Sequence, residues 1–454
     1  MKRLILSLLL SPVLAGCHTV GPSYIGAPAI SHPTGFAGAS VEAPVIDQWW
    51  KTLKNPQLNL FVEKALAQNF DLGIARERLI QSRAARHQVA AAFLPQLSGV
   101  AGYSNTDLSE NTPEGAAVSG SIEQWNVGAD VRWEIDVFGG GRRQKESANA
   151  TEEATEERVH AVRLASVAEV VDAYYTIAGF REQIATVEEN IRLQEQTLGL
   201  VTQRWNAGLS SRLDLQRATA QLESTRTARP TLEAGLIKQL RRLTLLVGEE
   251  PAALDGLVGQ WEGFPSRLPM VRSGLPAELL TRRPDLRQAE RRLAARTADI
   301  GVATAAFYPR FFLLGQPGLV STNTANLFDA ASFAWQFAPR VEWSLFSSGS
   351  NRAVLESANS RQRETLLAYE KAVLGAIGEV ESNVARLQAE RRRFVYFEKA
   401  VAASREAVQL AQQLNEGGRT NLLDLLVEEQ RLNGLSLDRV RSRTALTLAW
   451  VRLH

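Results

Sequence analysis

The residue types that perform covalent or proton-transfer chemistry are few in this chain and poorly spaced for it. The five histidines sit at 18, 32, 87, 160 and 454, and the single cysteine is Cys17. No His-x-x-x-His or Cys-x-x-Cys pair exists to start a metal site. Two methionines do not make a thioether-lined copper path. Phe138-Gly139-Gly140-Gly141-Arg142 lies between a strand pattern and a helix pattern, but no Gly-x-x-x-x-Gly-Lys-Ser/Thr follows, and a glycine cluster alone is not a phosphate loop. No nucleophile can be paired with a base. These residues predict a protein that is not an enzyme and holds neither cofactor nor metal. The formal net charge of +2 implies no pull on nucleic acid. Arg282-Arg283 and Arg391-Arg392-Arg393 read as solvated helix faces or protein contacts.

Two carboxylates stand out by position. Gly208 is followed by Ser211-Arg212-Leu213-Asp214, and Gly418 by Asn421-Leu422-Leu423-Asp424. Glycine suits the left-handed residue that ends a helix. An acid three residues after a Ser or Asn cap satisfies free amides and the helix dipole. Capping is the main role expected for Asp214.

Cys17 suggests chemistry of another kind. Lys2 and Arg3 precede a short apolar run from Leu4 to Val13, then Leu14-Ala15-Gly16-Cys17. The run is too short to span a membrane and reads as a secretory signal over residues 1–16. Leu-Ala-Gly-Cys resembles the bacterial lipoprotein cleavage box, which makes Cys17 the lipidated first residue of the mature chain. Residue 18 is His rather than Asp, which by resemblance to enterobacterial sorting favours the outer membrane. Residues 17–50, rich in Gly, Pro, Ser and Ala in their first part, read as a strap leading away from the anchor.

The elements that position these residues come in two copies. Ala91-Ala92-Phe93-Leu94-Pro95 returns as Ala305-Ala306-Phe307-Tyr308-Pro309, and Val131-Arg132-Trp133 as Val341-Glu342-Trp343. Glu146-Ser147-Ala148-Asn149 returns unchanged as Glu356-Ser357-Ala358-Asn359. The period is about 210 residues, which reads as an internal duplication. Residues 51–248 form the first repeat, 249–275 a Gly- and Pro-rich equatorial linker, and 276–454 the second repeat. Each repeat predicts a helix (Pro56 to Phe93; Pro276 to Phe307), a strand pair (about 97–137; about 310–346), a very long helix (Arg142 to Asn206; Arg352 to Glu416) and a shorter one (Ser211 to Val247; Thr420 to Arg452). A helix of about 65 residues spans on the order of 100 Å and must pair with neighbours along its length, as coiled coils do.

No apolar run of 18 or more residues exists, so any membrane crossing falls to β-strands. From Gln124 to Val137 apolar and polar residues alternate completely, and Trp335 to Leu345 repeats the pattern with Pro339 as the exception. Trp125 and Trp133, like Trp335 and Trp343, are eight residues apart. They therefore share a face about 26 Å apart, close to the roughly 25 Å apolar band that aromatic girdles flank in outer-membrane barrels. These four are expected to be membrane-interface anchors. Four strands per chain cannot close a barrel, and an open edge in lipid is forbidden. Several copies must complete one, and three leave room for a lumen.

At this point the sequence resembles the TolC-like outer-membrane factor family, in its lipoprotein (NodT-type) branch. The likeness is carried by Trp49-Trp50, Asn55-Pro56-Gln57-Leu58, Asn69-Phe70-Asp71-Leu72, Trp133 through Gly139, and Gly274 through Leu286, of which the last run is the most specific. The resemblance implies a mainly α fold with a β-barrel part: a homotrimer with a 12-stranded barrel in the outer membrane and a 12-helix periplasmic tunnel. It implies docking to a periplasmic adaptor and an inner-membrane pump, often of the resistance-nodulation-division type. It also places Asp424 at the closed aperture, where three copies make a carboxylate ring, with Thr420 and Asp214 beside it. TolC itself has a tyrosine, an arginine and a second aspartate where this chain has Asn415, Thr420 and Val427, so that latch is missing and a simpler gate is implied. The function implied is a passive exit duct of a tripartite drug-efflux pump. The alternatives are the duct of a type I protein secretion system and a lipid-anchored periplasmic coiled-coil scaffold without a pore.

Overall fold

A computed structural model describes residues 19–27, 48–109, 111–117, 120–269 and 282–453. The signal segment, Cys17, most of the strap and the stretch from Gly274 to Thr281 lie outside the described residues.

Helix α1 (Pro56–Gln68) starts where the sequence dictates. Proline at its first position needs no amide partner, and Asn55 accepts from the Leu58 amide at 2.7 Å. The chain then breaks at Asn69, whose ψ of 127° is extended, and resumes as α2 (Phe70–Ala91). The single helix expected from Pro56 to Phe93 is therefore two. Asn69 holds the break from both sides: its oxygen accepts from Leu72 N at 3.0 Å and its amide donates to the Leu246 carbonyl at 2.9 Å. The strand β1 (Gln96–Thr106), short helix α3 (Pro113–Ala117), and strand β2 (Ile122–Ile135) follow. Next come α4 (Gly140–Asn206), α5 (Arg212–Arg226) and α6 (Ala228–Leu246). The one helix expected from Ser211 is thus divided at Thr227, near Pro230, which has no amide to donate.

The second half brings α7 (Pro284–Ala305), β3 (Arg310–Ser321), β4 (Phe333–Glu342), α8 (Ser350–Glu416) and α9 (Leu422–Val451). Helices α4 and α8 have 67 residues each. Both end in the same left-handed turn, with Gly208 at φ 72° and Gly418 at φ 69°. In each, the amide after the glycine bonds five residues back, Leu209 to Arg204 and Arg419 to Leu414, both at 2.8 Å.

The chain divides into two compact units that do not coincide with the sequence repeats. One comprises residues 1–30, 77–158 and 284–372; the other comprises 31–76, 159–283 and 373–454. Each draws on both halves of the sequence.

The first unit holds the sheet, in order β1-β2-β3-β4, every neighbour antiparallel. The pairing β2–β3 joins the two halves of the sequence: Trp133 faces Leu313 and Trp125 faces Ser321. Its ladder skips Ala129 and Asp130, opposite Pro317 and Gln316. Proline has no amide to give, and the Gln316 side chain donates to Asp130 Oδ1 at 3.0 Å at that place instead.

The second unit has the larger apolar core. Trp49 lies 5.8 Å from Trp450, Phe61 stacks on Trp261 at 5.5 Å, and Tyr174 stacks on Trp261 at 4.7 Å. Fully burying an aromatic of this size contributes about 2–3 kcal/mol. The Tyr174 hydroxyl accepts from Asn55 Nδ2 at 3.0 Å and lies 2.8 Å from Gln57 Oε1. Of the motif residues, Trp49-Trp50 are thus core, Asn55 is a cap, and half-buried Gln57 accepts from the Tyr174 hydroxyl and Glu262 N.

Candidate functional site

The register sorts the sheet into two unlike faces. Directly paired residues share a face. One face collects Leu97 and Tyr103 of β1, Trp125, Val127, Val131 and Trp133 of β2, Phe311, Leu313 and Leu319 of β3, and Trp335, Phe337 and Val341 of β4. The other is mainly polar, with Gln124, Asn126, Asp130, Arg132 and Glu134, Arg310 and Gln316, and Gln336, Arg340 and Glu342, and it also carries Val100, Phe312, Leu314 and Val320. Arg310 and Glu134 pair on it, with Nε to Oε1 at 2.9 Å. The apolar face is open: Leu97 is 72% exposed and Trp335 is 70% exposed. A soluble sheet covers such a face.

The four tryptophans fall on or beside this face. Trp125 packs on Tyr103 at 4.4 Å between ring centres. Trp335 stands opposite Pro317. Trp133 and Trp343 turn their indole nitrogens onto helix ends, donating to the Phe93 and Phe307 carbonyls at 2.8 and 3.0 Å. Trp343 is one residue past β4, not within it as its alternation implied.

Between strand and helix, the glycine cluster is a capped joint. Gly139 has φ 79°, and the Asp136 carboxylate accepts from Gly141 N at 3.2 Å and Arg142 N at 2.8 Å. Two amides at the start of α4 are satisfied this way by an acid, which the helix dipole also favours there.

The two helix turns belong to the second unit, and they differ. Ser211 and Asp214 form a complete capping box: Asp214 N donates to Ser211 Oγ at 3.1 Å and Ser211 N to Asp214 Oδ2 at 3.2 Å. Hydrogen bonding by the Ser211 hydroxyl is the main cause that holds the Asp214 carboxyl below its usual range. At the second turn Asn421 caps, accepting from Asp424 N at 2.9 Å, and the Thr420 hydroxyl bonds the Asp424 carboxylate. Thr420 and Asp424 thus come together, and both turns keep their glycines.

Sequence reasoning missed the residue that ties the turns to one another. Arg204, near the end of α4, donates from Nη1 to Asn415 Oδ1 and from Nη2 to Asn415 O, both at 3.0 Å. Asn415 Nδ2 in turn reaches the Thr420 carbonyl at 3.3 Å. Asn415 is only 4% exposed. The available signal was a departure from the repeat: Arg204 corresponds to Leu414 and Trp205 to Asn415. Deeper in the helices, Glu429 was also missed. It is buried at 3% exposure, accepts from Thr197 Oγ1 at 2.6 Å, and its other oxygen has no hydrogen-bond partner among the described residues. Burial pushes its carboxyl up to about 7.

Near the sheet, Arg143 grips the described part of the strap. Its guanidinium donates to the Val20 carbonyl at 3.1 Å, the Gly21 carbonyl at 3.0 Å and Ser23 Oγ at 3.1 Å. Gly21 passes so close to α7 that a Cβ on it would lie 2.4 Å from Gly301 Cα. Cys17 lies outside the described residues.

Among the described residues no three His, Cys, Asp or Glu side chains gather as a metal site. No described helix is long and apolar enough to cross a membrane.

Comparison with known proteins gives one consistent answer. The family model for outer membrane efflux protein matches residues 61–249 and 275–454. Outer membrane protein OprJ of Pseudomonas aeruginosa is 31% identical over 92% of this chain and 88% of its own length. Nodulation protein T of Rhizobium leguminosarum bv. trifolii is 28% identical over 93% and 90%. A solved structure of the outer-membrane channel OprN is 32% identical, superposes with a TM-score of 0.89, and matches over 96% of this chain and 98% of its own.

Proposed function

Because the chain belongs to the outer membrane efflux protein family, we propose that three copies of it form the exit duct of a tripartite efflux pump. The observation that carries this reading is the two-faced sheet with an open edge at each end. Among the described residues β1 and β4 each pair on one side only. In lipid an unpaired edge leaves backbone amides and carbonyls unsatisfied, at several kcal/mol each. β1 and β4 run in opposite directions, so β4 of one copy fits antiparallel against β1 of the next. Three copies close 12 strands, with the tryptophan face in lipid and the polar face lining the lumen.

In this duct Trp125, Trp133, Trp335 and Trp343 sit at the membrane interfaces, and lipidated Cys17 anchors the strap to the outer membrane. The long helices extend into the periplasm. Their turns at Gly208 and Gly418 form the tip, which meets a periplasmic adaptor and, through it, an inner-membrane pump of the resistance-nodulation-division type. Asp424, backed by Thr420, forms the aperture ring, and Asp214 serves mainly as a cap. A carboxylate ring favours cations and repels itself, so other contacts hold the closed state. The cargo is drugs or other small toxic compounds, and the pump supplies the energy.

The test is reconstitution. Purified chain is expected to migrate as a heat-modifiable trimer and to give single-channel currents in planar bilayers. A water-soluble helical monomer after removal of residues 1–17 would support the poreless scaffold instead. A strain lacking the chain that keeps its drug resistance but stops exporting a protein would support the type I secretion duct.

A further inference from the structure

A cleft of about 510 Å³ in the second unit lies between the equatorial linker and the hairpin of α8 and α9. Arg267 of the linker, Arg391 of α8, and Arg439 and Arg443 of α9 line it. Four guanidinium groups at one cleft repel one another unless carboxylates answer them. Two carboxylates are present. Glu398 is on the wall. Glu182 reaches Arg439 and Arg443 only at 3.4 and 3.5 Å. Arg267 and Arg391 make no ion pair or hydrogen bond among the described residues. Two positive charges are left over.

The cleft is also built to keep its shape. The Arg443 guanidinium lies over the Phe264 ring at 5.0 Å, which fixes it without neutralising it. Leu268, Phe394 and Leu446 supply an apolar wall. Each guanidinium offers a planar fork that matches a carboxylate or phosphate in two-point contact.

We propose that this cleft binds an organic anion: a carboxylate or phosphate joined to an apolar group. The anionic head lies between Arg267 and Arg391, and the apolar part rests on Leu268, Phe394 and Leu446. The proposal concerns the second unit alone and stands whether or not the chain conducts.

The experiment titrates the full chain, in lipid nanodiscs, by calorimetry. Three probes are used: naphthalene-2-carboxylate, the uncharged naphthalene-2-carboxamide, and inorganic phosphate. The carboxylate is expected to saturate at one site per chain. Arg267→Gln and Arg391→Gln are each expected to weaken it tenfold or more, and Arg391→Lys to restore part of the loss. The carboxamide is expected to give no heat of binding, and phosphate to bind more weakly than the carboxylate. No saturable binding of the carboxylate, equal binding of the carboxamide, or equal binding by both Gln variants overturns the proposal. Phosphate binding as tightly as the carboxylate overturns the organic part of it. Trimer mobility and single-channel currents of the same variants, unchanged from the parent, show that the fold and the duct reading are untouched.

Discussion

The indole nitrogen of Trp133 donates to the carbonyl of Phe93 at 2.8 Å. Phe93 lies in the turn just past the end of α2, and its carbonyl is held there by a residue of the strand β2. Trp343 and Phe307 repeat the relationship at 3.0 Å. Each pair welds a helix end to a strand end, so the ring serves packing and hydrogen bonding together.

Trp133→Phe keeps an aromatic ring and removes the donor. It should cost about 1 kcal/mol per chain, seen as a lower temperature for loss of the trimer on unheated gels. Trp343→Phe should cost about the same. If Phe at either position leaves the melting temperature unchanged, the indole bond contributes nothing and only the ring matters.

Arg204→Ala removes the clasp from Asn415 and leaves a nearly buried amide oxygen without its donor. Loss of such a charged hydrogen bond costs about 1.5–3 kcal/mol. The tip should loosen, and single-channel conductance in planar bilayers should rise. Asn415→Ala should have the same sign. Conductance at the parental level in both variants would remove this contact from the gate.

The two aspartates should separate by assay. Asp424→Ala should raise conductance and reduce cation preference, because the ring loses its charge. Asp214→Ala should mainly cost stability, about 1 kcal/mol, because a capping box is lost. Identical behaviour of the two variants in both assays would contradict the division of roles.

Glu429 should make the helix packing sensitive to pH. Its carboxyl is raised from 4.5 to about 7 by burial. Below about 4.5 it is protonated folded or unfolded, and burial carries no charge penalty. As pH rises toward 7 the unfolded form ionises first, so stability falls, levelling off above 7. The total is about 3 kcal/mol at most. Glu429→Gln should flatten this dependence between pH 5 and 8 in thermal unfolding. A parent and variant that lose the same stability over that range would assign the effect to other groups.

The strands and turns were legible because each rests on a local rule. Alternation from Gln124 to Val137 placed the apolar face of β2, and Gly208 and Gly418 marked the helix ends. The break at Asn69 was not legible, since it depends on the Leu246 carbonyl far away in sequence. Arg204 and Asn415 were hidden for the same reason: 211 positions separate them, and neither belongs to a repeated motif. Nothing local in the sequence marks Glu429, because only packing with Thr197 reveals its burial. The cleft at Arg267 and Arg391 joins the linker to α8, and no local spacing reports that meeting.

The grip of Arg143 on Val20, Gly21 and Ser23 sets the length of a leash. Three peptide units separate Cys17 from Val20, and a fully extended chain of that length reaches about 10 Å. Val20 in turn donates to the Phe138 carbonyl at 3.1 Å, where the sheet passes into α4. The acyl group proposed on Cys17 would be tied to Val20 by no more than that length of chain. On the proposed function the anchor then acts as a depth gauge. It fixes how far the sheet sits in the bilayer, and lengthening the leash by inserted residues frees the height of the whole duct without touching a single strand.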